Sequence, residues 1–318
     1  MGLGEFELIG RYFTRPVRRA ALGVGDDCAL LAADAGMQWC VSSDMLVEGR
    51  HFISTVPPER LGHKALAVNL SDLAACGAEP LAFMLALALP RADERFLEGF
   101  AAGLFALAER HGIELVGGDT TAGPLNICIT VFGQVPAGQA LLRSGARVGD
   151  ELWVSGTLGD ARAALECLRG TLAVDAADFT ALRQALERPE PRVALGRGLR
   201  GIAGSAIDVS DGLIGDLGHV LQRSGVGARL ELDALPRSAA LAGLPPVVQQ
   251  QCLLHGGDDY ELLFSAAPAQ HDAVRAAAHA AGVPVTRIGR IEPGTALLVI
   301  DRAGRPLPLA AGGFDHFK

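Results

Sequence analysis

Strand-like and helix-like stretches alternate along this 318-residue chain, and the alternation stops once, at a Gly- and Arg-rich segment over 136–150. Before that break, strands are predicted at 37–41, 81–89, 113–116 and 126–133, with helices at 58–76 and 93–110. After it, strands are predicted at 151–154, 205–207, 228–232, 261–264, 284–291 and 296–301. The helices of this second series fall at 159–169, within 178–200, at 212–223 and at 268–281. The pattern is α+β in two lobes, with domains expected at 1–137 and 138–318. Length agrees, because one core ordinarily organises about 100–200 residues.

Composition narrows the function. The net charge is −8, whereas a protein that grips nucleic acid carries a basic face, so no nucleic-acid partner is expected. Gly is abundant, at 40 residues, which suits loops that bring bare backbone to a ligand. Six cysteines (Cys28, Cys40, Cys76, Cys128, Cys167, Cys252) show no C-x-x-C spacing and sit mostly in apolar runs, so reduced buried thiols are expected. Residues 1–11 hold two Glu and no apolar core of signal-peptide length. The most hydrophobic run, 81–89, stops at Pro90, well short of the roughly 20 residues that cross a bilayer. The expected setting is cytoplasmic, with no membrane partner.

Four acidic constellations carry chemistry. In the first, Gly23-Val24-Gly25-Asp26-Asp27 opens a strand-like stretch, and a short turn at 33–36 leads to the 37–41 strand and Ser42-Ser43-Asp44. If the two strands form a hairpin, Asp26 and Asp27 lie opposite Ser42, Ser43 and Asp44, with side chains roughly 4.5–5.5 Å apart. Carboxylates that close repel unless a cation holds them, and an all-oxygen donor set suits Mg²⁺. A solvated acidic turn is the alternative.

The second lies on the 61–73 helix, which is apolar on nearly every face and expected to be buried on most sides. Asp72 continues its Leu61, Ala65, Val68 row, and Asn69, nearly one turn earlier, could share a ligand with it. The third, Gly117-Gly118-Asp119-Thr120-Thr121, ends a strand in two glycines and an acid, an arrangement that offers backbone N–H groups and a metal-bearing carboxylate to phosphate. The fourth, Asp208-Val209-Ser210-Asp211-Gly212, precedes an apolar-periodic helix, with Ser210 the expected N-cap and the acids flanking the helix N-terminus. Ser155-Gly156-Thr157-Leu158-Gly159-Asp160 lacks the Gly-Lys-Ser/Thr ending of a P-loop and reads as a plain cap. Arg143 and Arg147 either bring a cation to phosphate oxygens or form a solvated loop. Acids of both lobes that meet around a metal-bridged polyanion would perform phosphoryl transfer.

The motifs GVGDDCALL (23–31), SDMLVEGRHF (43–52), KALAVNLSDLAA (64–75), GGDTT (117–121), RSGA (143–146), DVSDGL (208–213) and GGDDYEL (256–262) occur in the order of the thiamine-monophosphate kinase family, which the chain resembles over its whole length. That family is part of the aminoimidazole-ribonucleotide synthetase-like superfamily. The resemblance implies a two-lobed fold whose amino-terminal lobe, 1–137, binds ATP and Mg²⁺ and forms a β-barrel across a homodimer, followed by an α/β domain at 138–318. ATP would lie near the lobe junction. The implied reaction passes the γ-phosphoryl of ATP directly to thiamine monophosphate, giving thiamine diphosphate. Asp26, Asp27, Ser42, Ser43, Asp44, Asp72, Asp119, Asp208 and Asp211 match metal-binding positions. Gly118, Asp119, Arg143 and Ser210 match ATP contacts, with Arg143 and Asp211 as the catalytic pair. His51, Asp258 and Phe314 match substrate contacts, although the family often has Glu at the position of Asp258 and Trp or Tyr at that of Phe314. Two other readings use fewer of these residues: another ATP-using enzyme of the superfamily, and a non-catalytic nucleotide or metal sensor.

Overall fold

A computed structural model of the chain describes residues 4–24 and 28–308. Asp26, Asp27 and Phe314 lie outside the described residues. Two compact units form, one from Met1–Leu73 with Ala78–Gly138, the other from Ala74–Gly77 with Gln139–Lys318.

The first unit runs α1 (Glu5–Leu8), β1 (Met37–Val47), α2 (Pro58–Ala75), β2 (Glu79–Leu89), α3 (Glu94–His111), β3 (Glu114–Ala122) and β4 (Asn126–Pro136). Its sheet has the order β1-β4-β2-β3, with β4 antiparallel to both neighbours and β3 parallel to β2. Alternation divides the strands cleanly. Leu46, Leu85, Leu87, Ile127, Ile129 and Val131 are buried, and α2 lies on that side, bonded to β1 through Asn69 and Asp72. As expected, α2 is buried all round, with no residue from Leu61 to Ser71 reaching solvent appreciably. Two glycines allow this. A Cβ at Gly62 would sit 2.0 Å from the Phe100 carbonyl oxygen, and one at Gly103 would sit 1.8 Å from that of Glu59. The backbones of α2 and α3 therefore touch where they cross. The other face of the sheet is open: Val41, Met45 and Met84 are exposed, and Cys128, Thr130 and Phe132 are partly so.

The expected hairpin between the 28–31 stretch and β1 does not form. All eleven residues of β1 pair with β4, from Met37 with Pro136 to Val47 with Asn126, and Leu30 makes only an isolated bridge to Leu22. A turn does precede β1, where the Met37 N–H donates to the Asp34 carbonyl. Asp34 is then held by Gln134 of β4, which accepts from its N–H at 3.1 Å and donates to its carboxylate at 2.6 Å. Among the described residues β4 is the one strand paired with β1, and the other edge of β1 carries no ladder. Consequently β1 continues to Val47, and Asp44 stands inside a strand rather than after one.

The second unit contains β5 (Glu151–Ser155), α4 (Asp160–Leu168), α5 (Ala176–Glu187), α6 (Val193–Gly198), β6 (Ala203–Asp208), α7 (Leu213–Ser224), β7 (Gly227–Glu231), α8 (Ala239–Ala242), α9 (Pro246–His255), β8 (Leu262–Ala266), α10 (His271–Ala281), β9 (Val285–Glu292) and β10 (Leu297–Ile300). Its mixed six-stranded sheet has the order β10-β7-β9-β5-β8-β6 and is parallel only at β10/β7. The helical stretch within 178–200 is two helices, because Pro189 and Pro191 remove backbone donors between α5 and α6. Helices α8 and α9 were not expected.

Both units fit the α+β class. Among the described residues no helix is long and apolar enough to cross a membrane. All six cysteines are free, but only Cys252 is buried and Cys28 is exposed, which corrects the expectation of buried thiols. Cys128 shows why: its apolar run is β4, and Cys128 points to the open face.

Candidate active site

In the first unit, strand alternation turns Ser42 and Asp44 to the face that carries α2. There the Ser42 hydroxyl donates to Asp72 Oδ2 at 2.5 Å, and the Asp44 N–H donates to Asn69 Oδ1 at 3.0 Å. Asn69 is spent at both ends, because its amide also donates to the Ala65 carbonyl. It ties the backbone of β1 at Asp44 to α2. Ser43 points to the opposite face, with its hydroxyl against Thr130 Oγ1 at 3.0 Å, Cys128 Sγ and the Ile129 carbonyl. The hydroxyls of Ser42 and Ser43 are thus on different sides of the sheet.

Pairing also gives a scale for Gly118 and Asp119. Asp44 is opposite Ile129, Ile129 opposite Leu85, and Leu85 beside Gly118. Three inter-strand steps of about 4.8 Å separate the backbones of Asp44 and Gly118 by about 14 Å, too far for one cation to touch both. Asp119 is exposed on edge strand β3.

His51 closes the turn after β1. Its own N–H bonds the Val47 carbonyl, and the Val47 N–H donates to its Nδ1 at 3.0 Å. A ring nitrogen that accepts carries no proton, so the neutral ring holds its proton on Nε2.

In the second unit two loops are zipped together. The 208–212 loop follows β6, where Asp208 is buried. The expected Ser210 cap is absent: Gly212 is the N-cap of α7 and has no side-chain bond. Instead Asp216, in the first turn of α7, folds back and accepts from the N–H groups of Ser210, Asp211 and Gly212 at 3.0, 3.1 and 3.1 Å. Burial, then the charge of Asp211, push the Asp216 carboxyl up to about 7, against the pull of those three donors.

The second loop is 256–261. The N–H groups of Asp258 and Tyr260 donate to the carbonyls of Ser210 and Val209 at 2.9 and 2.8 Å, and the Val209 N–H donates to the Glu261 carbonyl. A Cβ at Gly257 would meet the Ser210 carbonyl at 2.4 Å, so the loops can close only on glycine. Asp259 accepts from the Gly159 N–H at 2.9 and 3.0 Å, and burial holds its carboxyl well above the usual range. Thus the 155–160 loop is capped from outside, by Asp259. Glu261 is buried against Arg192, at 2.7 Å to Nε and 2.5 Å to Nη2, and accepts from the Ser155 hydroxyl at 2.5 Å. Asp258 (φ 67°) and Tyr260 (φ 51°) are the only non-glycine residues with left-handed backbone among the described residues. For an L-residue that conformation costs roughly 1–2 kcal/mol.

Arg143 is exposed. Its turn is tied to the end of α7, because Ser224 Oγ accepts from the N–H groups of Gly145 and Ala146 and donates to the Arg143 carbonyl. Arg143 lines a cleft of about 390 Å³ with Leu142, Ser144, His219, Gln222 and Arg223. Such a cleft is suited to anions. Among the described residues no three His, Cys, Asp or Glu side chains come together as a metal cage.

Comparisons with known proteins decide the family. Residues 25–135 match the family model of the AIR synthase related protein N-terminal domain, and residues 147–301 match that of its C-terminal domain. Thiamine-monophosphate kinase of Salmonella typhimurium is 47% identical over 325 residues, covering 100% of this chain and 99% of that protein. The chain belongs to the thiamine-monophosphate kinase family. Thiamine-monophosphate kinase from Stenotrophomonas maltophilia K279a has a solved structure at 49% identity and TM-score 0.86, covering 94% of this chain and 97% of that one. The structure of AaThiL complexed with AMPPCP and TMP is 32% identical with TM-score 0.79, covering 90% and 89%.

For a member of the thiamine-monophosphate kinase family, sequence reasoning gave no role to three residues that the structure makes prominent, Asp216, Arg192 and Tyr260. Asp216 carried a signal, as an acid in the first turn of a helix that follows an acidic loop. Asn69 was read as a possible co-ligand of Asp72, and the structure adds its bonds to the Asp44 N–H and the Ala65 carbonyl. Arg192 carried none, as an arginine that simply follows Pro191, and Tyr260 entered only as one letter of the GGDDYEL motif.

Proposed function

We propose that the protein phosphorylates thiamine monophosphate with ATP, giving thiamine diphosphate and ADP. Full-length likeness to thiamine-monophosphate kinases carries this reading, and the relative complexed with AMPPCP and TMP supports both substrates. The acceptor oxygen is already anionic, so transfer needs charge neutralisation and alignment more than a general base.

Mg²⁺ fits the residues present. Ser42, Asp44 and Asp72 offer only oxygen, on one face, and Asp208 and Asp211 do the same in the second unit. With Asp119, Asp26 and Asp27 they are the proposed holders. Bound there, the cation would neutralise the phosphate oxygens. The chain's own groups divide the remaining work. The Ser210, Asp211 and Gly212 N–H groups are already spent on Asp216, so this loop presents carboxylates and hydroxyl rather than free backbone donors. Arg143, exposed in its cleft, supplies cationic charge for ATP phosphates and for the charge that develops during transfer. His51, fixed at the end of β1, contacts the substrate. Gly118 brings backbone to the nucleotide, and Asp258 and Phe314 face thiamine monophosphate.

The amino-terminal domain, 1–137, is proposed as the ATP- and Mg²⁺-binding and dimerisation domain, followed by the α/β domain at 138–318. The open sheet face supports a homodimer. Val41 is 58% exposed and Met45 53%, between two unpaired edges, β1 and β3. A second copy brings the strand count to about eight, the number at which a barrel interior is filled by side chains.

The test is ADP release by purified protein with ATP and Mg²⁺. Thiamine monophosphate is expected to trigger it and formylglycinamidine ribonucleotide is not. Release with the second and not the first assigns the chain to a different superfamily reaction, and nucleotide binding without release under either condition makes it a sensor.

A further inference from the structure

Asp258 and Tyr260 hold a conformation that glycine would adopt without strain, and neither is glycine. Backbone held in a sparsely populated region persists where its surroundings over-determine it, and such sites gather at ligand clamps. Here the surroundings are visible. Both N–H groups are fixed to the 208–212 loop, Asp259 is anchored on Gly159, and Glu261 on Arg192 and Ser155. Residues 259 and 261 thereby engage internal partners, and residues 258 and 260, like 259, are half-buried. Tyr260 Oη lies 3.4 Å from Asp258 Oδ1, which sets ring and carboxylate side by side.

A carboxylate beside an aromatic ring is matched by a flat cation, which the one attracts by charge and the other through its π face. A metal ion makes no use of the ring, and a phosphate is repelled by the carboxylate. We propose that Tyr260 is a substrate-recognition residue that, with Asp258, binds the permanently cationic thiazolium of the acceptor. This rests on the kinase reading above and adds the groups that select a thiazolium ester over other phosphate esters.

Steady-state kinetics with thiamine monophosphate and ATP tests it. Tyr260→Leu is expected to raise the KM for thiamine monophosphate about tenfold, with kcat within about twofold and the KM for ATP unchanged, since lost cation–π attraction is uniform binding. Tyr260→Phe keeps the ring but loses the contact to Asp258, and its KM is expected to fall between those of wild type and Leu. Tyr260→Gly relieves the backbone strain, so its melting temperature is expected to hold or rise while its KM rises as for Leu. As inhibitors, N-methylated thiazolium phosphoester is expected to outcompete the neutral thiazole phosphoester in wild type and to lose that advantage in Tyr260→Leu. A wild-type KM in Leu or Gly, a defect in Phe equal to that in Leu, or no preference for the charged inhibitor overturns the proposal. Failure of the wild-type protein to consume thiamine monophosphate is a separate result, seen before any variant is made, and it removes the kinase reading as well.

Discussion

Glu261→Gln tests what holds the 256–261 loop in place. The Glu261 side chain is 7% exposed and that of Arg192 21%, and the pair is joined at both Nε and Nη2. The substitution keeps shape but offers an amide where one guanidinium N–H needs an acceptor, and it strands a mostly buried cation. Breaking a buried pair costs about 3–5 kcal/mol, and partial access of water to Arg192 favours the lower end. In a unit of this size each kcal/mol is worth about 2–4 °C, so about 3 kcal/mol predicts a melting shift of about 6–12 °C by calorimetry. The double variant Arg192→Met/Glu261→Met removes both charges, leaves Ser155 accepting from the Leu262 N–H, and is expected to recover at least half of the loss. A single-variant shift below about 2 °C, or a double variant whose loss equals the sum of the singles, refutes the reasoning.

Asp216 gives a pH signature. Its carboxyl is raised from 3.8 to about 7, so its contribution to stability is complete below the lower value and lost as pH rises through the higher one. Asp216→Asn stays neutral throughout. Its melting temperature relative to wild type is therefore expected to improve between pH 5 and pH 8, and a constant difference contradicts this. Asp44→Asn and Asp211→Asn are each expected to lower turnover by more than about 100-fold with the fold intact by circular dichroism, beyond the 10–100-fold typical of outer-shell partners. Near-normal rates of both in saturating Mg²⁺ remove the metal assignment. Val41→Lys is expected to halve the mass found by sedimentation equilibrium, and a wild-type chain already monomeric there contradicts the proposed pairing.

Much of the fold was legible because local signals agree with it. The all-round burial of α2 follows from its composition, and the second series of elements restarts where Gly and Arg interrupt the first. What failed was long-range. The partner of β1 is 79–99 residues away in sequence, and no local pattern identifies that strand. The site divides in the same way. Oxygen-rich motifs named Ser42, Asp44 and Asp72, and in the structure Ser42 bonds Asp72 while the Asp44 N–H bonds Asn69 of the same helix, with no hairpin involved. The turn-back of Asp216, the double use of Asn69 and the Arg192 anchor depend on tertiary approach, so residue type alone could not assign them. Ser43 illustrates the limit most simply: one residue along a strand reverses a side chain, and motif membership says nothing about which face it takes.

On the reading proposed above, this chain moves a phosphoryl group from ATP onto thiamine monophosphate with a divalent cation in attendance. Mass spectrometry of the products of purified protein, ATP, Mg²⁺ and thiamine monophosphate tests it directly. Thiamine diphosphate is expected in one-to-one yield with ADP, abolished by chelation and restored by added Mg²⁺. Hydrolysis of ATP to ADP and inorganic phosphate with thiamine monophosphate returned unchanged would contradict it.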